Sequence, residues 1–230
     1  LVKKEKYLKA PNLKKTSKEL NDLTLPLSNC GSCTLYKDSS YHPHNYWGTL
    51  NNPDVLFVGE APGKTEKATG KAFQGRAGQL LQKELKAMGI DSFAIANVVA
   101  CRPETIDPKY GRLRDRKPTP TEVKNCAENL DSIIAQVNPK YIAALGATAM
   151  QRLKIKGGIT ANRGVMIEND YGKIIPVYHP AYILRSPNFI TEFRQDLKTL
   201  KGFLEGNKDI AKPQGDYIVV EDPTEVEELE

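Results

Sequence analysis

Apolar positions fall in short continuous runs separated by longer periodic segments. Val55-Leu56-Phe57-Val58 and Tyr141 to Leu145 are unbroken apolar runs of strand length, and Ala94 to Val99 is interrupted only by Asn97, as in strands buried on both faces. Between them, Gly78 to Met88 and Thr121 to Val137 repeat apolar residues at helical spacing. This βαβαβ rhythm predicts a parallel sheet with helices on both faces. A short helix is expected near Thr148 to Leu153. Gly164 to Glu168 and Lys173 to Tyr178 then flank Asn169-Asp170-Tyr171-Gly172, a hairpin leading into the last core strand. A helix from Ile190 to Leu204 closes the domain. Two segments have no place in this core: the lysine-rich residues 1 to 26, and Asp107 to Lys117, a polar, Arg-rich loop.

With 230 residues, 40% of them hydrophobic and 27% charged, the chain can bury a core without disulfides. No run approaches the length of an apolar membrane span, and no apolar stretch follows the basic start, so neither a span nor a secretory signal is expected. That implies a cytoplasmic protein without a membrane partner. The formal charge of +5 hides a segregation: residues 1 to 20 carry seven lysines against Glu5 and Glu19, whereas residues 216 to 230 carry seven acids and no base. A basic body with a basic arm suits a polyanion such as nucleic acid. Because the chain starts at Leu1 and stops at Glu230 within a developing pattern, it reads as a piece of a longer polypeptide.

Gly59-Glu60-Ala61-Pro62-Gly63-Lys64-Thr65 follows a buried strand and superficially offers a phosphate-binding loop. The spacing is wrong, with three residues between the glycines where that loop needs four, and Glu60 and Pro62 oppose phosphate binding by charge and by loss of an amide donor. What remains is a tight loop at the carboxyl end of a central strand, where open α/β sheets place ligands. His179-Pro180 follows the last strand and brings an imidazole to the same edge. Asn97 stands in an apolar strand, where it either serves neighbouring backbone or reads a ligand. Cys30 and Cys33 form a C-x2-C pair, with Cys101 and Cys126 far downstream. A chelating pair with two distant thiolates suits a four-thiolate site, and the spacing leaves iron–sulfur and zinc both open.

Together these motifs resemble the iron–sulfur uracil-DNA glycosylases usually called family 4. The match runs from about Leu27 to Leu204. It includes Gly59-Glu60-Ala61-Pro62-Gly63, Ala72-Phe73-Gln74-Gly75-Arg76-Ala77-Gly78-Gln79-Leu80-Leu81 and Asn97-Val98-Val99-Ala100-Cys101-Arg102-Pro103. It continues through Ala144-Leu145-Gly146-Ala147-Thr148-Ala149 and His179-Pro180-Ala181-Tyr182-Ile183-Leu184-Arg185. The resemblance implies a three-layer α/β/α fold with a central four-stranded parallel sheet, and a structural [4Fe–4S] cluster on the four cysteines, zinc being the alternative. It implies a monofunctional hydrolase that flips uracil from single- or double-stranded DNA and cleaves its N-glycosidic bond. In that scheme Phe73 stacks on the base, Asn97 reads its O4/N3 edge, and the Gly59, Ala61 and Gly63 backbone holds the O2 side. His179 donates toward O2, Glu60 positions the attacking water, and Glu66 lies near the C5 edge. Ile183 and Leu184, followed by Arg185 at the DNA, lie where the family pushes apolar side chains into the duplex from the minor groove.

The chain departs from the family pattern in two places. Paired acids usually follow the first motif, but here Glu66 is followed by Lys67, and residues 104–117 look inserted before Cys126. The insert supplies Arg112, Arg114 and Arg116, which suit phosphate contacts. A covalently trapping subgroup carries a reactive histidine in this loop and a glutamine at position 61; this loop has no histidine and Ala61 stands at that position, so crosslinking is not expected. Residues 27–207 then form the glycosylase-like domain. From Gly215 to Glu225 the chain resembles the opening of the proofreading exonuclease of family A DNA polymerases, so residues 208–230 read as a linker and the start of a following domain. That arrangement implies a phage polymerase in cis and a bacterial host cytoplasm. The alternative is a catalytically silent DNA-binding or uracil-sensing module.

Overall fold

The computed structural model describes residues 33–37, 46–49 and 51–207. The basic arm at residues 1–26, Cys30 and the exonuclease-like segment at 208–230 lie outside them. The strands are β1 (Tyr46–Gly48), β2 (Val55–Gly59), β3 (Phe93–Asn97), β4 (Glu104–Ile106), β5 (Leu113–Asp115), β6 (Tyr141–Leu145), β7 (Ile167–Asn169) and β8 (Gly172–Val177). Six of them form one sheet in the order β1-β3-β2-β6-β8-β7. The four inner strands are parallel, as the motifs imply, and an antiparallel strand closes each edge. β7 arises from the expected hairpin; β1, a three-residue YWG strand, is too short to give a periodic signal.

Helices α1 (Thr34–Lys37), α2 (Lys64–Thr69), α3 (Arg76–Ala87), α4 (Pro120–Asn125), α5 (Ala127–Val137), α6 (Gly146–Arg152), α7 (Ile159–Asn162), α8 (Pro180–Arg185) and α9 (Ile190–Leu204) complete the chain. All five residues of β2 are buried. Their alternation sends Leu56 and Val58 into one core with Leu130, Ile133 and Met150. Val55 and Phe57 enter a second core with Leu81, Leu85, Phe193 and Leu197. A strand that feeds both layers must be apolar throughout, which is why it lacks a polar/apolar alternation.

The helix expected from Thr121 to Val137 is two helices. Thr119 and Glu122 form a reciprocal capping box with Pro120 in the first turn of α4. The chain then breaks at Cys126 (φ −91°, ψ 2°), which starts α5. The Arg-rich loop is likewise ordered: β4 and β5 form an antiparallel hairpin. Its base is held by Arg102, which donates to Asp115 at 2.6 Å and to Glu104 at 2.7 Å. Lys67 also reaches Glu104, at 2.6 Å. The two departures from the family pattern therefore meet in one ion pair, the lysine that replaces a second acid holding the insert's own carboxylate.

Candidate active site

The carboxyl ends of the parallel strands bring the sequence-predicted groups to one edge. Gly59 pairs in register with Asn97, and Leu145 with Val177. Beyond the strands, Val98 N–H donates to Gly59 O at 2.9 Å and Val99 N–H to Glu60 O at 3.2 Å. This stitching fixes the Glu60 backbone to the β3 exit. A cleft of about 530 Å³ opens there, lined by Glu60, Thr148, His179, Tyr182, Arg185 and, from the insert, Lys117. A carboxylate and an imidazole thus face one cavity.

His179 caps α8, and its Nδ1 accepts the Ala181 N–H at 3.1 Å. An Nδ1 that accepts leaves the proton of a neutral ring on Nε2. Burial, with the positive charge of Arg185 as the smaller cause, pushes the His179 pKa down from 6.5 to about 4. The group is thus a neutral N–H donor near neutrality. Gly146, at φ +83°, makes room for it: a Cβ there would stand 3.1 Å from His179 Cβ.

Phe73 and Asn97 stand beside this cleft, 6% and 1% exposed. The Phe73 ring lies 5.9 Å from the His179 ring, with 33° between their planes. Both flank Gly59, where an added Cβ would stand 2.4 Å from Phe73 Cζ and 2.7 Å from Asn97 Oδ1. Phe73 itself holds φ +55°, a backbone cost of about 1–3 kcal/mol for a residue with a Cβ. Two contacts hold it there. Gln82 Nε2 donates to its carbonyl at 2.9 Å, and α3 approaches so closely that a Cβ on Gly78 would come within 1.8 Å of the same oxygen. The motif from Ala72 to Leu81 therefore fixes the position of one aromatic ring.

Glu66 ties the two loops together. Its Oε2 accepts the Gly63 N–H at 3.0 Å and its Oε1 the Gly75 N–H at 2.6 Å. Both carboxylate oxygens thus hold backbone amides of two separate loops. Ile183 is placed apart from its neighbour Leu184. It is 3% exposed and packs in the core with Phe193 and Val177, so it does not reach DNA from this position; Leu184, at 37%, is the exposed apolar residue of α8. Arg185 is exposed at the cleft. On the insert, Arg112 and Arg114 are exposed, but Arg116 is not a free cation. Its guanidinium donates to Glu122 through two bonds, at 2.8 and 2.6 Å, and holds that carboxyl below the usual range.

Thr148, within the Ala144 to Ala149 motif, carries no site role by sequence, yet its Oγ1 donates to Glu60 Oε2 at 2.5 Å. Nothing in a hydroxyl 88 positions away announces that contact in sequence. It holds one carboxylate oxygen of Glu60 and leaves the other to the cleft. Thr148→Val is expected to slow catalysis about tenfold or more, the worth of a hydrogen bond to a charged group, with substrate affinity unchanged and Thr148→Ser restoring the rate. Single-turnover kinetics measure this; a raised KM with an unaltered rate would assign Thr148 to binding instead.

Among the cysteines, Cys126 Sγ accepts the Ala100 N–H at 3.3 Å, so the α4–α5 break and the β3 exit bring Cys126 next to Cys101. Cys33 precedes α1. Among the described residues, no three His, Cys, Asp or Glu side chains group closely enough to hold a metal ion. The Cys126 sulfur thus meets the backbone amide that precedes Cys101, and an amide N–H directed at sulfur suits a thiolate ligand.

A family model for the uracil DNA glycosylase superfamily matches residues 47–200. The chain belongs to that superfamily. It is 40% identical over 160 residues to a type-4 uracil-DNA glycosylase of Thermotoga maritima, covering 66% of this chain and 78% of that protein. It is 31% identical over 207 residues to the type-4 uracil-DNA glycosylase of Archaeoglobus fulgidus, covering 82% and 94%. A DNA polymerase of Bacillus phage SP01 is 30% identical over 155 residues, 66% of this chain but 16% of the polymerase. The superfamily is one of enzymes, so the enzyme class expected from the motifs stands. Among the described residues no helix is long and apolar enough to cross a membrane.

Proposed function

We propose that this superfamily member removes uracil from DNA as a monofunctional glycosylase. The observation that carries the reading is the pair facing one cleft, Glu60 and a neutral, Nε2-protonated His179. Breaking the glycosidic bond leaves an electron-poor sugar and an anionic base. A carboxylate beside the sugar stabilises the first and orients water, and an N–H at the base oxygen stabilises the second. A base must first leave the duplex, at a cost of a few kcal/mol that an aromatic platform offsets. Phe73 supplies that platform, Asn97 the edge contacts, and the Gly59 to Gly63 backbone the wall. Leu184, in place of Ile183, fills the helix space vacated by the base, while Arg185, Arg112 and Arg114 contact phosphates.

The test is incubation with single- and double-stranded oligonucleotides containing one uracil, followed by alkali. Strand cleavage is expected, and correctly folded protein giving no product at stoichiometric concentration would refute the reading in favour of a silent binding module. Asn97→Asp keeps the shape but removes the amide donor. It is expected to slow uracil release about ten- to a hundredfold, the worth of one bidentate base contact, and to narrow the preference for uracil over cytosine. An unchanged ratio would remove Asn97 from base reading.

Cys30, Cys33, Cys101 and Cys126 are proposed to hold a [4Fe–4S] cluster, supported by the Cys126–Ala100 contact and by the type-4 relatives. When bound, the cluster supplies a cross-link between distant segments. A brown preparation absorbing near roughly 400 nm fits it, whereas a colourless zinc-loaded protein would overturn it. The similarity to the phage polymerase supports a place beside exonuclease and polymerase domains in cis, in a bacterial host cytoplasm.

A further inference from the structure

The β4–β5 hairpin carries apolar surface that phosphate binding does not require. Its register pairs Ile106 with Leu113 and Glu104 with Asp115, and alternation along each strand puts these four on one face. Ile106 is 65% exposed, Leu113 58%, and Tyr110 at the tip 65%. The remaining exposed large hydrophobic among the described residues is Leu184, on the helix that lines the cleft. Three of the four exposed large hydrophobics among the described residues therefore sit on this hairpin.

The tip is built to hold its shape. Asp107 Oδ1 accepts from the Lys109 and Tyr110 amides at 2.9 and 3.1 Å, and Gly111 N–H donates to the Asp107 carbonyl at 2.8 Å. Gly111, at φ +62°, completes the turn. One cation lies beside the tip ring, and the arginines alternate with Leu113 onto the other face of the hairpin. Lys109 Nζ lies 5.0 Å from the Tyr110 ring centre, Arg112 is exposed, and Arg114, 58% exposed, stands 3.4 Å from Asp107. At the other end of the hairpin, Asp115 and Lys117 line the catalytic cleft. Two strand steps, about 7 Å, separate Asp115 from Leu113, which is the rise of roughly two stacked nucleotides.

We propose that this hairpin is a single-strand clamp: Tyr110 and the Ile106–Leu113 pair take unpaired bases that flank the extruded nucleotide, while Lys109, beside the Tyr110 ring, holds a phosphate. The inference rests on the DNA-glycosylase reading and specifies the form of DNA. In a duplex the flanking bases stay stacked inside, and an apolar face gains nothing from the phosphates outside. In a single strand every base offers a π-face, and an aromatic ring with neighbouring cations binds it with little regard to sequence.

The test uses the 230-residue chain and uracil-free oligonucleotides, a labelled single strand and its duplex, with binding followed by fluorescence anisotropy at one fixed salt concentration. Tyr110→Ala combined with Leu113→Ser is expected to weaken single-strand binding about tenfold or more, the worth of one base–aromatic stack, with duplex binding unchanged. Both residues are exposed, so an unchanged thermal melt shows that the variant is folded. Equal weakening on both forms, or none on the single strand, overturns the proposal. So does a wild-type chain that sediments as a dimer while the variant is monomeric, because the patch then binds a second copy. Uracil release is scored separately: binding loss with wild-type release from duplex supports the clamp, and lack of release by the wild type refutes the glycosylase reading without touching the binding result.

Discussion

His179→Ala is expected to lower the single-turnover rate of uracil release by about 10²–10³-fold, the usual cost of removing one donor from a developing anion. Substrate binding should change little, because the donor acts where charge builds in the transition state. Its pH dependence separates two mechanisms. With the pKa pushed down to about 4 by burial and Arg185, the imidazole is neutral across the physiological range, and the rate should show no rise as pH falls through the ordinary histidine value. A rate that climbs between about pH 7 and 5 would mean that the imidazolium is the active form. Stability carries the opposite signature. The unfolded chain takes up a proton at the ordinary 6.5 and the folded chain only near 4, so the contribution of neutral His179 is complete above 6.5 and is lost as pH falls toward 4. The His179→Ala variant should flatten that limb of a denaturation-versus-pH curve.

Gly59→Ala should have a comparable effect by a different route. The new Cβ would stand 2.4 and 2.6 Å from two Phe73 ring atoms and 2.7 Å from Asn97 Oδ1, closer than real Cβ contacts allow. The ring cannot move away freely, since Gln82 and the Gly78 approach fix its backbone. A displacement of the order of 1 Å at a reacting constellation costs about 10²-fold in rate, and overpacking costs about 1–3 kcal/mol of stability. The check is a double substitution. Gly59→Ala with Phe73→Leu should recover part of the melting temperature, because the ring clash is relieved while the approach to Asn97 Oδ1 stays, but not uracil release, because the platform is gone. Full recovery of release would show that the aromatic ring is dispensable.

Much of this site was legible in the chain because it depends on local grammar. A buried strand followed by a tight glycine loop puts Gly59 and Glu60 at a sheet edge, and a strand followed by His-Pro puts His179 at the same edge. The Gly78 position was legible as part of a motif, but its reason, the approach to the Phe73 carbonyl, appears only when α3 is docked. Ile183 and Leu184 are equally apolar neighbours, and sequence offers no ground for choosing between them; one helical step, 100° of rotation, buries the first and exposes the second. Arg116 reads as a DNA ligand until Glu122 takes both arms of its guanidinium.

By itself the sequence determined the layered α/β core, because strands buried on both faces must be apolar throughout and helices covering them must repeat at 3.6 residues. It also determined which residue types stand at the strand ends. Only the tertiary structure decided which charges remain free, since Glu66, Arg116 and Lys67 all meet polar partners that no local pattern announces. It alone decided the His179 tautomer, through one amide two residues on, and the Glu60 orientation, through a hydroxyl 88 positions away. Pairings between distant segments follow from how the layers close, and no local pattern encodes that closure.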